Sequence, residues 1–165
     1  MNSVLKQSPR LFGMVGGAAL ALLAGCAGGD VFQEKPPPGY VTDVAQRTAG
    51  VDWAGAEAVE VALSEFRFAP AQVVFRQGVP YRLSLRNTGQ RSHTFVSEGF
   101  FKAIAAGRLV SSGTVTTQPY VVSIEVPAGA VKEVYFVAVR KGSFHLKCTV
   151  FLHQTFGMEG TITIR

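Results

Sequence analysis

The chain has 165 residues, 47% of them hydrophobic and 16% charged, a composition that argues against intrinsic disorder and fits one ordinary domain with appendages. Two cysteines cannot build a disulfide-dense scaffold or a four-thiolate zinc site within one chain. The formal charge of +5 includes Lys6 and Arg10, which lie in a segment expected to be removed; the remaining 14 basic and 11 acidic residues leave +3, with no block of consecutive Lys or Arg to suggest a nucleic-acid surface.

Residues 1–25 place Lys6 and Arg10 before an uncharged apolar run (LFGMVGGAALALLAG), the layout of a secretory signal peptide. The run is too short and too Gly-rich for a spanning helix to be the first reading. It ends in Leu23-Ala24-Gly25-Cys26, which resembles the lipobox of bacterial lipoproteins. That resemblance implies cleavage before Cys26, acylation of its thiol and a lipid anchor in the bacterial envelope, on the periplasmic side. Ala27 in place of Asp after the Cys points, by the same resemblance, to the outer membrane. An ordinary cleaved signal, or an uncleaved anchor, is the competing reading. Residues 26–55 mix Gly, Pro and polar residues without sustained periodicity and read as a flexible linker, stiffened at Pro36-Pro37-Pro38 into extended polyproline form.

The domain is expected over residues 56–165, and it reads as strands. Val59, Val61 and Leu63 alternate with Glu60, Ala62 and Ser64; Val73-Val74-Phe75 precedes a turn at Gly78; Tyr81, Leu83 and Leu85 alternate with Arg82, Ser84 and Arg86. Each run buries one face and wets the other. Asn87-Thr88-Gly89-Gln90 signals a turn before a short strand over 92–96, and the apolar spacing over 98–109 predicts a short helix or irregular insertion. Strands are predicted again over 120–126, 131–139, 142–150 and 160–164. About seven short strands at this spacing predict an all-β fold, a Greek-key sandwich or barrel with one short helical insertion.

The sharpest chemical signal is Cys148-x4-His153-x4-Met158, with His93 upstream. One thiolate, two imidazoles and a thioether are the ligand set of a trigonal copper site with a weak axial Met. Cu(I) favours soft sulfur and Cu(II) favours imidazole nitrogen, so a compromise geometry fixed by the protein serves both states with little rearrangement. Taken singly, a buried Cys, a structural His and a core Met each have an ordinary explanation; together, at this spacing, coincidence is a poor account. Strand alternation sends His145 to the face opposite Phe144, Leu146 and Cys148, which makes it a surface histidine. No nucleophile-base-acid set, CxxC pair or phosphate-binding glycine loop accompanies the metal residues.

Residues 57–165 resemble the cupredoxins, the small blue-copper proteins related to plastocyanin, azurin and rusticyanin. The likeness rests on Phe66-x-Phe68-x-Pro70, Gly78, Asn87-x-Gly89-x3-His93, Pro127-x-Gly129, Gly142-x-Phe144-x3-Cys148 and Gly157-Met158-x-Gly160. It implies one copper ion per chain, cycling between Cu(I) and Cu(II), with His93, Cys148, His153 and Met158 as ligands and Asn87 and Thr94 supporting them. Two positions depart from the family pattern. Thr94 stands where many members have Asn, and its hydroxyl is suited to part of the same bracing. Phe151-Leu152 stands where many have Pro-Gly, which puts the rigidity behind the second His in question.

The function this reading implies is single-electron transfer by a membrane-tethered, monomeric mononuclear copper protein, with no substrate transformed at the metal. The partner class is a redox protein such as a cytochrome or a terminal reductase or oxidase. Copper trafficking or storage, with delivery to an envelope cuproenzyme, is the rival, and a degenerate structural subunit is a third reading that leaves four retained ligand types unexplained.

Overall fold

The computed structural model describes residues 31–32, 36–117 and 120–165; the signal segment, Cys26 and the start of the linker lie outside the described residues. Among the described residues no helix is long and apolar enough to cross a membrane.

The alternation at Tyr81, Leu83 and Leu85 becomes β5 (Pro80–Asn87), whose inward side chains are buried while Arg82 and Arg86 face water. On one side it pairs in parallel with β2 (Glu57–Ser64), setting Val61 beside Leu85, and on the other it pairs antiparallel with β10 (Val131–Ala138). With β3 (Arg67–Ala69), β7 (Ile104–Ser111) and β8 (Thr114–Thr116) these form a six-stranded sheet in the order β3-β2-β5-β10-β7-β8. A second sheet sets β12 (Glu159–Ile164) between β11 (Gly142–Lys147) and β4 (Gln72–Phe75), and a third joins β1 (Val31–Phe32), β9 (Val121–Val126) and β6 (His93–Phe95). The fold is the expected all-β sandwich. At its centre Phe75 of β4 meets Tyr81, Phe136 and Phe100 at ring-centroid separations of 4.7, 5.1 and 5.6 Å, so the aromatic core ties the two layers together.

Three stretches differ from the sequence reading. The helix predicted within 98–109 is confined to α2 (Glu98–Lys102), and residue 104 already begins β7. The reason is tertiary: Ile104, Ala105 and Ala106 pair with Ala138, Val137 and Phe136 of β10, and a strand buried on both faces has an apolar pattern that short windows confuse with a helix. The strand predicted to reach residue 150 stops at Lys147; the Cys148 amide makes one more bond in the same register, to Met158 O at 3.1 Å, and the chain then enters the turns that carry His153. Finally, residues 40–55 pack on the domain. Tyr40, Val41 and Val44 are buried, the last at the start of α1 (Val44–Thr48), and Trp53 sets its ring edge-on to Tyr135 at 5.9 Å. A segment without periodicity still docks when isolated apolar anchors find sites on a finished sheet. Gly107 makes room for this one, since a Cβ there would stand 2.7 Å from the Trp53 ring.

Candidate metal centre

The centre forms where β6, β11 and β12 converge at one end of the sandwich. His93 opens β6 opposite Val126 of β9, and Cys148 follows β11. The two strands are joined at Val96 and Lys147, whose amides and carbonyls exchange bonds of 3.1 and 3.0 Å. Between Cys148 and β12 the chain winds through tight turns. His153 N donates to Val150 O, Gly157 N to Gln154 O and Met158 N to His153 O, at 2.9–3.0 Å. Gly157 supplies the left-handed turn (φ 93°) that brings Met158 back under the loop. The loop is pinned at both ends and in the middle, so its length fixes where Cys148, His153 and Met158 stand.

His93, Cys148 and His153 are buried, with one ligand atom from each all within 4.8 Å of one another. The two Nδ1 atoms are 3.1 Å apart, and Cys148 Sγ lies 3.7 Å from His153 Nδ1. These separations would let both imidazoles and the thiolate reach a single ion at ordinary metal–ligand distances of about 2.0–2.3 Å. Thiolate with two imidazoles suits copper in both oxidation states. Met158 is fully buried at the foot of the same loop.

Burial holds the His93 pKa below its ordinary value; the neighbouring Glu65 charge opposes that and His153 adds to it. A neutral imidazole has a lone pair to offer a metal. Thr94 supports the sulfur. Its amide donates to Cys148 Sγ at 3.4 Å and its hydroxyl lies 3.6 Å from the same atom, while that hydroxyl oxygen accepts the Thr149 amide at 2.7 Å. Asn87 supports the histidine. Its Nδ2 donates to Arg91 O and Val126 O at 2.7 and 2.8 Å and its Oδ1 accepts the Gly89 amide, so one buried amide ties β5 to β9 and to the loop entering His93. His145 lies apart on the surface, 3.4 Å from Glu159.

Two neighbours of the site went unread in the sequence as such. Glu65 Oε1 stands 3.5 Å from His93 Nε2, and Phe66 lays its ring against that of His153 at 5.1 Å. Only the Phe66-x-Phe68 spacing marked this turn, and nothing local to Glu65 tells that the turn between β2 and β3 folds over both imidazoles. His153 forms part of the floor of a depression of about 260 Å³, rimmed by Phe66, Phe151, Leu152 and Phe156.

No protein-family model matches the chain. It is 31% identical over 110 residues to the copper-resistant cuproprotein CopI of Rubrivivax gelatinosus; the match covers 65% of this chain and 66% of that protein, just under two thirds of its length. A multi-copper oxidase from Pseudomonas thermotolerans aligns with 71% of this chain and 31% of its own, at 19% identity and a TM-score of 0.56. The copper nitrite reductase of Nitrosomonas europaea aligns with 72% of this chain and 52% of its own, at 12% identity and a TM-score of 0.52. At such identities these structures speak for the fold alone. The fold is cupredoxin-like, and the buried set of one thiol and two imidazoles suits copper.

Proposed function

We propose that the protein binds one copper ion through His93, Cys148 and His153, with Met158 as a weak axial ligand, and passes single electrons between redox partners without transforming a substrate at the metal. Bound copper supplies the Cu(I)/Cu(II) couple. The chain's part is to hold the donors still. The observation that carries the reading is the mutual approach of three buried ligand atoms, held by a strand junction and a pinned loop, because a site that rearranges little between oxidation states exchanges electrons quickly. Cys148 and His93 are enclosed, whereas His153 adjoins the apolar rim, which makes that rim the electron's exit toward a cytochrome or a terminal reductase or oxidase.

The purified protein with stoichiometric Cu(II) is expected to bind one ion and develop an intense visible thiolate-to-metal charge-transfer band, which Cys148→Ser should abolish. A folded, thiol-reduced protein that stays colourless would sink the reading. Copper delivery is the second reading, supported by the likeness to CopI, a copper-resistant cuproprotein; ready transfer of the ion to an apo-acceptor distinguishes it.

The placement proposed is the periplasmic side of a bacterial envelope, with Cys26 lipidated and anchored in the outer membrane. Mass spectrometry of the membrane-extracted protein is expected to show an acylated mature start at Cys26, lost in Cys26→Ala. An unmodified Cys26 would remove the anchor and leave the copper reading untouched.

A further inference from the structure

We propose that Glu65 is the positioning residue of the centre: its carboxylate fixes the proton of His93 on Nε2 and biases the site toward Cu(II). The inference rests on the copper reading above and adds a residue outside the ligand set.

His93 Nδ1 faces His153 Nδ1 at 3.1 Å, so for that atom to offer a lone pair to a metal the ring must carry its proton on Nε2. Nε2 is buried and has no partner of good hydrogen-bond geometry. The nearest acceptor is Glu65 Oε1, 3.5 Å away, at the edge of hydrogen-bond reach. A carboxylate on the far nitrogen of a ligating histidine sets tautomer and ring orientation and makes the imidazole a stronger donor.

The carboxylate is itself held in place. The amides of Gln90 and Arg91 donate to the same Oε1 at 2.9 and 3.0 Å, and a Cβ on Gly89 would collide with the Glu65 side chain. The loop that leads into His93 is therefore closed around Glu65. Two backbone N–H groups aimed at one carboxylate oxygen are the partners an ionised carboxylate takes. The group is a fixed negative charge beside a ligand, and such a charge favours the more positive metal state. Phe66, the next residue, rests on the other imidazole, so a single turn steadies both histidines from outside.

Glu65→Gln keeps the side-chain length and an oxygen for the Gln90 and Arg91 amides while removing the charge. In the copper-loaded protein it is expected to lower the ratio of Cu(II) to Cu(I) affinity about tenfold, read as a rise of about 59 mV in reduction potential, with the charge-transfer band retained. In the copper-free wild type, long-range ¹H–¹⁵N correlation spectra are expected to place the His93 proton on Nε2, and Glu65→Ala to redistribute it. An unchanged potential in Glu65→Gln with the band intact overturns the proposal, as does a His93 proton predominantly on Nδ1 in the copper-free wild type. The second measurement needs no copper, and its wild-type arm needs no variant, so a His93 proton predominantly on Nδ1 overturns the proposal even if the wild type fails to develop the band and the copper reading falls.

Discussion

Tyr40 shows how one side chain converts a docked segment into a measurable property. Its hydroxyl donates to Val121 O at 3.1 Å, and burial, aided by the charge of Glu98, pushes its pKa from 10.0 to about 12. The folded state thus favours the neutral phenol. Above about pH 10 the unfolded chain gives up its proton first, so stability present below that point is lost progressively up to about pH 12, by about 2–3 kcal/mol in all. Tyr40→Phe should remove this part of the pH dependence while costing about 1 kcal/mol at neutral pH for the lost hydrogen bond. Denaturant unfolding at neutral pH and at about pH 11 tests it; equal losses in wild type and variant would show that Tyr40 is not the source. Leu152, like Ser112, takes a positive φ. It stands where many cupredoxins have Gly, in the left-handed region at φ 64°, a conformation that costs a leucine about 1–2 kcal/mol. The loop's hydrogen bonds, including Phe156 N to Leu152 O at 3.0 Å, hold it there.

At the scale of elements, what the sequence made legible was whatever one period could express. The half-buried strands β2 and β5 alternate cleanly because one face of each meets the core and the other meets water. β7 does not alternate, since β10 pairs with it while both its faces near Ile104 are covered, and its pattern merged with that of the preceding α2. The segment around α1 gave no periodic signal because its contribution is a few separated anchors, Tyr40, Val41, Val44 and Trp53, whose receptors lie far along the chain on β7, β9 and β10. The candidate centre divides the same way. Three of its side chains share one loop, so their spacing announced them, and His93 was found because the turn at Asn87 and Gly89 precedes it. Glu65 lies 28 residues before His93 and is brought to it by the parallel pairing of β2 with β5, a relation that no local pattern encodes.

For the molecule as a whole, the question is where a partner approaches. Most exposed side chains are polar, yet around His153 lie Phe151 at 85%, Phe156 at 59% and Leu152 at 45% exposure. Phe156 also rests on Phe66 at a centroid separation of 4.9 Å, and Phe66 on His153, so part of this rim packs the loop. Phe151 has no such ring contact among the described residues, which makes it the cleaner probe of docking. Apolar groups that exclude water let a partner's cofactor come close to an imidazole without the charged contacts that slow release. Burying a phenylalanine against a partner is worth about 1.5–3 kcal/mol, so Phe151→Ser is expected to slow electron exchange with a partner, or self-exchange, by about tenfold or more, with little change in the visible spectrum, potential or unfolding midpoint. Phe156→Ser should slow exchange as well, with a loss of stability from its contact to Phe66. Stopped-flow oxidation and line-broadening self-exchange measurements on copper-loaded protein read both effects. If Phe151→Ser and Phe156→Ser both exchange at the wild-type rate with copper in place, the docking face lies elsewhere, and if the protein instead surrenders its copper readily to an apo-acceptor, delivery rather than electron transfer is what the exposed rim serves.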